Sequence, residues 1–189
     1  LHGEPGATRI VEVGHGAAQE VGRRHEVGVE DGHQFAGGHR LAGGQGSGPL
    51  DEPFANFFFG GFGNNYLDRG EIQRYRNWYA FPGFELNAIP GRNFYRGMIE
   101  WNLPPVRFER AGTARFYLAH MRPAIFASSI TTNLDDSALQ FNAQNIGAQL
   151  DFHIEFLSRL SMTLSLGYAK GYGEGDFEDD EFMISLKIM

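Results

Sequence analysis

Residues 145–156 read N-I-G-A-Q-L-D-F-H-I-E-F. Ile146, Ala148, Leu150, Phe152, Ile154 and Phe156 alternate there with Gly147, Gln149, Asp151, His153 and Glu155. Successive side chains of a β-strand point to opposite faces, so this stretch builds one apolar face and one charged face. About 9–11 tilted residues cross the hydrocarbon of a bilayer. The spacing therefore predicts a membrane-crossing strand whose apolar face meets lipid and whose polar face lines a watery interior.

The same period recurs on both sides. Residues 161–168 put Met162, Leu164, Leu166 and Tyr168 on one face and Ser161, Thr163, Ser165 and Gly167 on the other. Residues 181–189 set Phe182, Ile184, Leu186 and Ile188 against Met183, Ser185 and Lys187. Residues 93–103 set Tyr95, Gly97, Ile99, Trp101 and Leu103 against Phe94, Arg96, Met98, Glu100 and Asn102. Pro104-Pro105 ends that run, because proline donates nothing to a ladder. Residues 115–127 alternate with a weaker phase that sends His120 and Arg122 inward, and Pro123 marks a bulge or an edge. The aromatic run F-A-N-F-F-F-G-G-F at 54–62 is the sixth candidate strand.

The connections run long (63–92), short (104–113), long (128–144), short (157–160) and intermediate (171–180). Outer-membrane barrels alternate long outer loops with short periplasmic turns in this way. The predicted fold class is all-β: an antiparallel transmembrane β-barrel segment of about six strands over residues 53–189, placed in a bacterial outer membrane. The smallest barrels of this kind have about eight strands, and an open edge in lipid leaves unpaired backbone groups. The segment is thus expected to be the C-terminal part of a larger barrel, or to pair with other copies. The competing reading is a soluble β-barrel or sandwich that binds a small ligand. It requires the faces bearing Met162, Leu164 and Leu166 and Ile146, Leu150 and Phe152 to converge into one core, not to point outward.

A net charge of −7 and 21% charged residues do not announce a membrane protein, but a barrel strand shows lipid only one face. The 17 Phe, 7 Tyr and 26 Gly among 189 residues stand out, and aromatic residues form girdles at membrane interfaces. No apolar run is long enough for a transmembrane helix. With no cysteine, disulfides, thiolate metal sites and cysteine nucleophiles are excluded. The acidic balance argues against nucleic acid as a partner.

Residues 1–52 read differently. The first fifty hold 13 of the 26 glycines and five of the seven histidines, yet one phenylalanine and no Tyr or Trp. Val-Glu-Val at 11–13 and Glu-Val-Gly-Val-Glu at 26–30 suggest short strands. Gly37-Gly38, Gly43-Gly44 and Gly46-Ser47-Gly48-Pro49 suggest a flexible linker. The expectation is a low-order Gly/His-rich leader; a second reading takes it as non-native, a reading frame translated out of register. His2, His15, His25, His33 and His39 match no metal-ligand spacing.

One resemblance adds to this. The elements F-F-F-G-G-F at 57–62, Arg69-Gly70 and Arg74-Tyr75 in the long loop, I-E-W-N-L-P-P at 99–105 and the terminal F-M-I-S-L-K-I-M together resemble the C-terminal half of the bacterial surface-antigen barrels. That superfamily includes outer-membrane protein assembly factors and two-partner secretion translocators. The resemblance spans about residues 53–189. It implies a strand at 54–62, then a long loop that folds back into the lumen and holds Arg69, Gly70, Arg74 and Tyr75, then a strand at 93–103. It implies passage or insertion of a macromolecule, or anchoring of a periplasmic domain, with lipid, lipopolysaccharide and a translocated or inserted protein as partners.

No catalytic set emerges. The serines sit in no G-x-S-x-G elbow, and a His153–serine pair on the barrel wall is the only catalytic arrangement that suggests itself. The expected polar lining of the lumen is Arg96, Glu100, Arg122, Gln149, Asp151, His153, Glu155 and Lys187, with carboxylates facing cations across water. Arg69, Arg74, Arg76 and Arg92 would pair with lumen carboxylates if the long loop folds inward, or with lipopolysaccharide phosphates if it does not. The acidic run from Asp176 to Glu181 reads as a solvated loop. No enzyme activity, metal or cofactor is expected.

Overall fold

The stretch at 145–156 folds as a strand longer than its pattern, and its neighbours lengthen with it. In the computed structural model the described residues are 9–13, 27–28, 34–46, 56–63, 74–77, 79–108, 111–113, 115–157, 160–175 and 178–188. They form strands β1 (Arg9–Val13), β2 (Val27–Gly28), β3 (Gln34–Gln45), β4 (Phe57–Phe59), β5 (Ile89–Gly91), β6 (Asn93–Asn102), β7 (Val106–Arg107), β8 (Gly112–Thr113), β9 (Phe116–Thr132), β10 (Phe141–Phe156), β11 (Leu160–Gly173) and β12 (Glu178–Ile188). A single 3-10 turn at Arg74–Arg76 is the one helical piece among the described residues.

The main sheet runs β1-β3-β6-β9-β10-β11-β12, every pair antiparallel, with β2 beside β3 and β7 and β8 beside β9. The fold is all-β, as expected. The sheet is open, with β1 and β12 at its edges among the described residues.

The alternation decides which face is covered. On β10 the side chains of Asn145, Gln149 and Asp151 are buried while Ile146 is exposed. On β11 Thr163 and Ser165 are buried, while Met162, Leu164 and Leu166 are half-buried and Tyr168 is exposed. On β12 Phe182, Ile184, Leu186 and Ile188 all lie open, Ile184 at 66%. On β6 Arg96 and Met98 are buried, with Tyr95, Ile99 and Trp101 exposed. The faces bearing Met162/Leu164/Leu166 and Ile146/Leu150/Phe152 thus point away from the core.

What covers the other face is the segment between β3 and β6. Its β4 and β5 pair as a small separate sheet, and Gly61 bridges Phe81. Phe57, Phe59, Phe81, Phe84 and Ile89 pack against Ala42 of β3, Phe94 of β6, Ile130 of β9 and Ala143 of β10. Phe62 and Tyr75 pack with Met98, Ala124, Phe126, Ala169 and Met183. One segment therefore touches β3, β6, β9, β10, β11 and β12, which requires the sheet to curl around it. Each fully buried aromatic contributes about 1.5–3 kcal/mol by leaving water.

Glycines set the closest approach. Gly83, at φ +89°, lies against Gly171 of β11, where an added Cβ would stand 2.2 Å from the Gly83 carbonyl oxygen and 2.5 Å from the Phe84 ring. Only bare backbone on both sides lets the segment reach the sheet there.

Several expectations are corrected. Of the strand expected at 54–62, the described residues 56–62 do not join the main sheet: β4 belongs to the inserted segment, and β3 occupies the position beside β6. Gly37, Gly38, Gly43 and Gly44, read as linker, lie within β3 and face β6. The loop read at 128–144 shrinks to 133–140, because Ser128–Thr132 extend β9 and Phe141–Gln144 begin β10. The loop read at 171–180 is shorter too, since β11 runs to Gly173 and β12 starts at Glu178. The irregularity in β9 falls where β10 pairing shifts between His153 and Ile154, not at Pro123, which pairs with Leu150. Ala119 is the extra residue.

Candidate functional site

The inserted segment and the row it lies on form the candidate site. Cross-strand partners share a face, and the register lines up Gly38, Glu100, Phe126, Gly147, Ala169 and Glu181 from β3 to β12. Gly147 and Ala169 keep the row small beside the Phe126 ring. A Cβ on Gly147 would come within 2.5 Å of the Phe126 ring and 2.8 Å of the Ala169 Cβ. Glu100 and Glu181 flank Phe126, Gly147 and Ala169 in this row, and both grip the insertion.

At the first anchor, Arg76 donates from Nε to Glu100 Oε2 (2.8 Å) and from Nη2 to Glu100 Oε1 (2.7 Å). The Glu100 side chain is 8% exposed and that of Arg76 19%. Parallel N–H···O bonds from a planar guanidinium to a carboxylate are the strongest geometry such a pair has. At the second, Glu181 Oε1 accepts from the Phe62 amide (3.0 Å) and Oε2 from the Gly83 amide (3.2 Å). Between them the Tyr75 ring stacks on Phe126 at 4.2 Å and 9°. Tyr75 is fully buried. Burial pushes its hydroxyl well above the usual tyrosine range; the nearby Glu100 pushes the same way, against Arg76.

Further contacts pin the insertion's backbone. Arg96 donates to the carbonyls of Asn77 (3.3 Å) and Tyr75 (3.5 Å). Arg40 donates to the Arg76 carbonyl (3.3 Å), and Asn145 Nδ2 to the Pro82 carbonyl (2.7 Å). Asn145 Oδ1 accepts from both the backbone and the hydroxyl of Ser128. Arg74 donates to the Gly63 carbonyl at 2.8 Å, inside the insertion. An in-folded segment exposes peptide groups to a dry interior, and each orphaned one costs about 1–3 kcal/mol. The inward polar side chains meet that requirement.

The expected lining separates by depth. Arg96 and Glu100 hold the insertion. Gln149 is fully buried and donates to Asp151 Oδ1 (2.7 Å), which also accepts from Ser165 Oγ (2.6 Å). Arg122 is exposed and stands opposite Asp151; His153 and Lys187 are half-buried; Glu155 is exposed. Arg74 and Tyr75 lie in the 3-10 turn, while Arg69 and Gly70 fall outside the described residues. Arg76 pairs with a carboxylate of the inward face, as the in-folding alternative required. Arg92 instead pairs with Asp135, joining the start of β6 to the β9–β10 loop.

Sequence reading missed three of the gripping residues. Glu181 sat unremarked in an acidic run, and Lys170–Glu178 takes up another of its members. Asn145 was read only as the start of a strand. Arg40 lay in the supposed linker. The one available signal was phase: Glu181 shares the inward parity of Met183, Ser185 and Lys187. No family model, no curated protein and no solved structure matches this chain.

Proposed function

We propose that the chain is the membrane-crossing wall of an outer-membrane β-barrel of surface-antigen type, with the segment between β3 and β6 lodged in the lumen as a plug. The single observation that carries this reading is the inverted layering. Ile99 and Trp101 on β6, Ile146 on β10 and Ile184, Leu186 and Ile188 on β12 are exposed, while Gln149, Asp151, Thr163 and Ser165 on β10 and β11 are buried. A soluble sandwich has the opposite arrangement, and in water such a face is an aggregation hazard. In lipid the same face is solvated by acyl chains, and the alternation is the one expected of a barrel wall.

The open edges at β1 and β12 must then be paired, because lipid offers backbone groups no partner. Strands of a longer chain or a second copy supply that pairing. The role that fits is passage or insertion of a macromolecule, or anchoring of a periplasmic domain. With the insertion seated against β3, β6 and β9 to β12, passage requires the insertion to move. No reacting group is needed for any of these roles.

The test is migration in detergent gels with and without boiling, alongside flotation with liposomes. The reading predicts that the folded chain runs faster unboiled than boiled and floats with liposomes that alkaline carbonate does not strip. A chain that stays in the aqueous fraction as a folded monomer contradicts it.

A further inference from the structure

Register also assembles a second row, nearer the short turns, that the linear sequence does not display. Arg107 of β7 pairs with His120 of β9, His120 with His153 of β10, His153 with Thr163 of β11, and Thr163 with Lys187 of β12. Five neighbouring strands at about 4.8 Å each make this a line ~19 Å long on one face. One row up, Arg122 stands opposite Asp151. The His120 and His153 rings are stacked, 4.9 Å apart and 18° from parallel. Ser161 Oγ lies 3.2 Å from His153 Nε2. The two histidines are half-buried and Arg107 and Arg122 are exposed, so solutes reach the row.

Three uses of such a row can be weighed. A divalent cation held between two imidazoles needs further ligands, and no group of three His, Asp or Glu stands together among the described residues. Arg107 and Arg122 would also repel it. A Ser161–His153 nucleophile needs a carboxylate to orient the ring, but the buried Asp151 is committed to Gln149 and Ser165. An anion meets neither obstacle.

We propose that His120, His153 and Arg122, with Arg107 at the rim, bind a phosphate-type oxyanion, and that the protonation of the two histidines sets its affinity. The charged groups facing the pair are Arg107 from β7, Arg122 from β9, Asp151 and Glu155 from β10 and Lys187 from β12. From β11 come only the neutral Ser161, Thr163 and Ser165. A bound oxyanion places negative charge beside both imidazoles and so favours their protonated forms. Proton and anion therefore promote each other's binding by the same factor. Free phosphate and the phosphate of a lipid headgroup share this chemistry. The proposal rests on the register of the sheet and holds whether or not the convex face meets lipid.

The test uses the full chain, labelled with 13C-histidine, in phosphate-free maltoside micelles. Inorganic phosphate is titrated at about pH 5.5 and again at about pH 8, on either side of the ordinary histidine pKa. The Cε1 signals of His120 and His153 are assigned from H120Q and H153Q. The expected result is a phosphate-dependent shift of both signals, with affinity about tenfold tighter at the lower pH, within the usual span of coupled sites. R122Q weakens it at both pH values; because Arg122 is exposed, this variant tests the site even if a histidine variant fails to fold. Micelles doped with phosphatidic acid distinguish the source, since a headgroup site responds to that lipid and not to the free ion. No shift with either probe overturns the proposal. So does a shift that is equal at both pH values or unchanged in R122Q.

Discussion

The guanidinium of Arg76 holds both carboxylate oxygens of Glu100, at 2.8 and 2.7 Å, across 24 residues of chain. The bond ties the 3-10 turn of the insertion to the wall of β6. Replacing Arg76 by Gln leaves Glu100 charged, mostly buried and short of its partner. Breaking a buried pair from one side costs about 3–5 kcal/mol; the partial exposure of Arg76 places this pair at or below the low end. R76Q is expected to unfold at correspondingly lower urea and to expose the insertion to protease while the sheet stays protected. The double variant R76Q/E100Q recovers part of the loss, because no charge is stranded. Limited proteolysis and urea titration of the three chains check this.

Gly171 tests the contact from the other side. An added methyl would stand 2.2 Å from the Gly83 carbonyl oxygen, and that neighbour is backbone, so the insertion must shift. G171A should cost about 1–3 kcal/mol, as overpacking does, and loosen the segment around Gly83 and Phe84. At Gly97 the nearest atom to an added Cβ is the flexible end of Leu41, 3.6 Å away. G97A should stay within about 0.5 kcal/mol of the parent. Equal stabilities for the two variants would remove the close-contact account.

Tyr75 gives the fold an alkaline weakness. Its hydroxyl pKa is raised in the folded chain, by burial first and by Glu100 second. An unfolded tyrosine ionises near pH ~10, while the folded one keeps its proton. Its contribution is therefore complete below about pH 10 and is lost as pH rises beyond that, at up to about 1.4 kcal/mol per pH unit. Y75F has no proton to lose. The stability difference between parent and Y75F should stay level to about pH 9.5 and then shift in favour of Y75F. A parallel pair of profiles up to pH 11 rules this out.

How much of this was legible in the chain depends on how each contact is made. Ile146, Leu150, Phe152, Met162, Leu164 and Leu166 announced their face by alternation alone, and the register Gln149↔Gly167 and Asp151↔Ser165 follows that phase. Ser128, Thr131 and Thr132 hid the end of β9, because polar residues on a strand look like loop until the partner of each face is known. Thr132 is buried against Gly91 of an insertion no local pattern reveals, and Ser128 is buried on Asn145, which itself holds that insertion. β3 was hidden by Gly37, Gly38, Gly43 and Gly44, which erase alternation yet let Phe94 and Phe57 press within 3.0 Å of where a Gly44 Cβ would be. The aromatic run at 57–59 had strand composition and was read as wall, but its apolar side chains serve the core of the insertion. The Glu181 clamp joins residues 98 and 119 apart, and such pairings exist only once the sheet has curled.

The central claim is that the convex face meets lipid, and the cysteine-free sequence allows a direct measurement. Single cysteines placed in turn from Phe182 to Ile188 on β12, spin-labelled and reconstituted in liposomes, report collisions with oxygen from the bilayer and with a water-soluble nickel chelate. The account predicts a period of two: oxygen-rich, nickel-poor signals at 182, 184, 186 and 188, a lower oxygen-to-nickel ratio at 185 and 187, and few collisions of either kind at 183, where Met183 is packed in the core. Strong nickel collisions at 182, 184, 186 and 188 would contradict it, because those side chains would then stand in water.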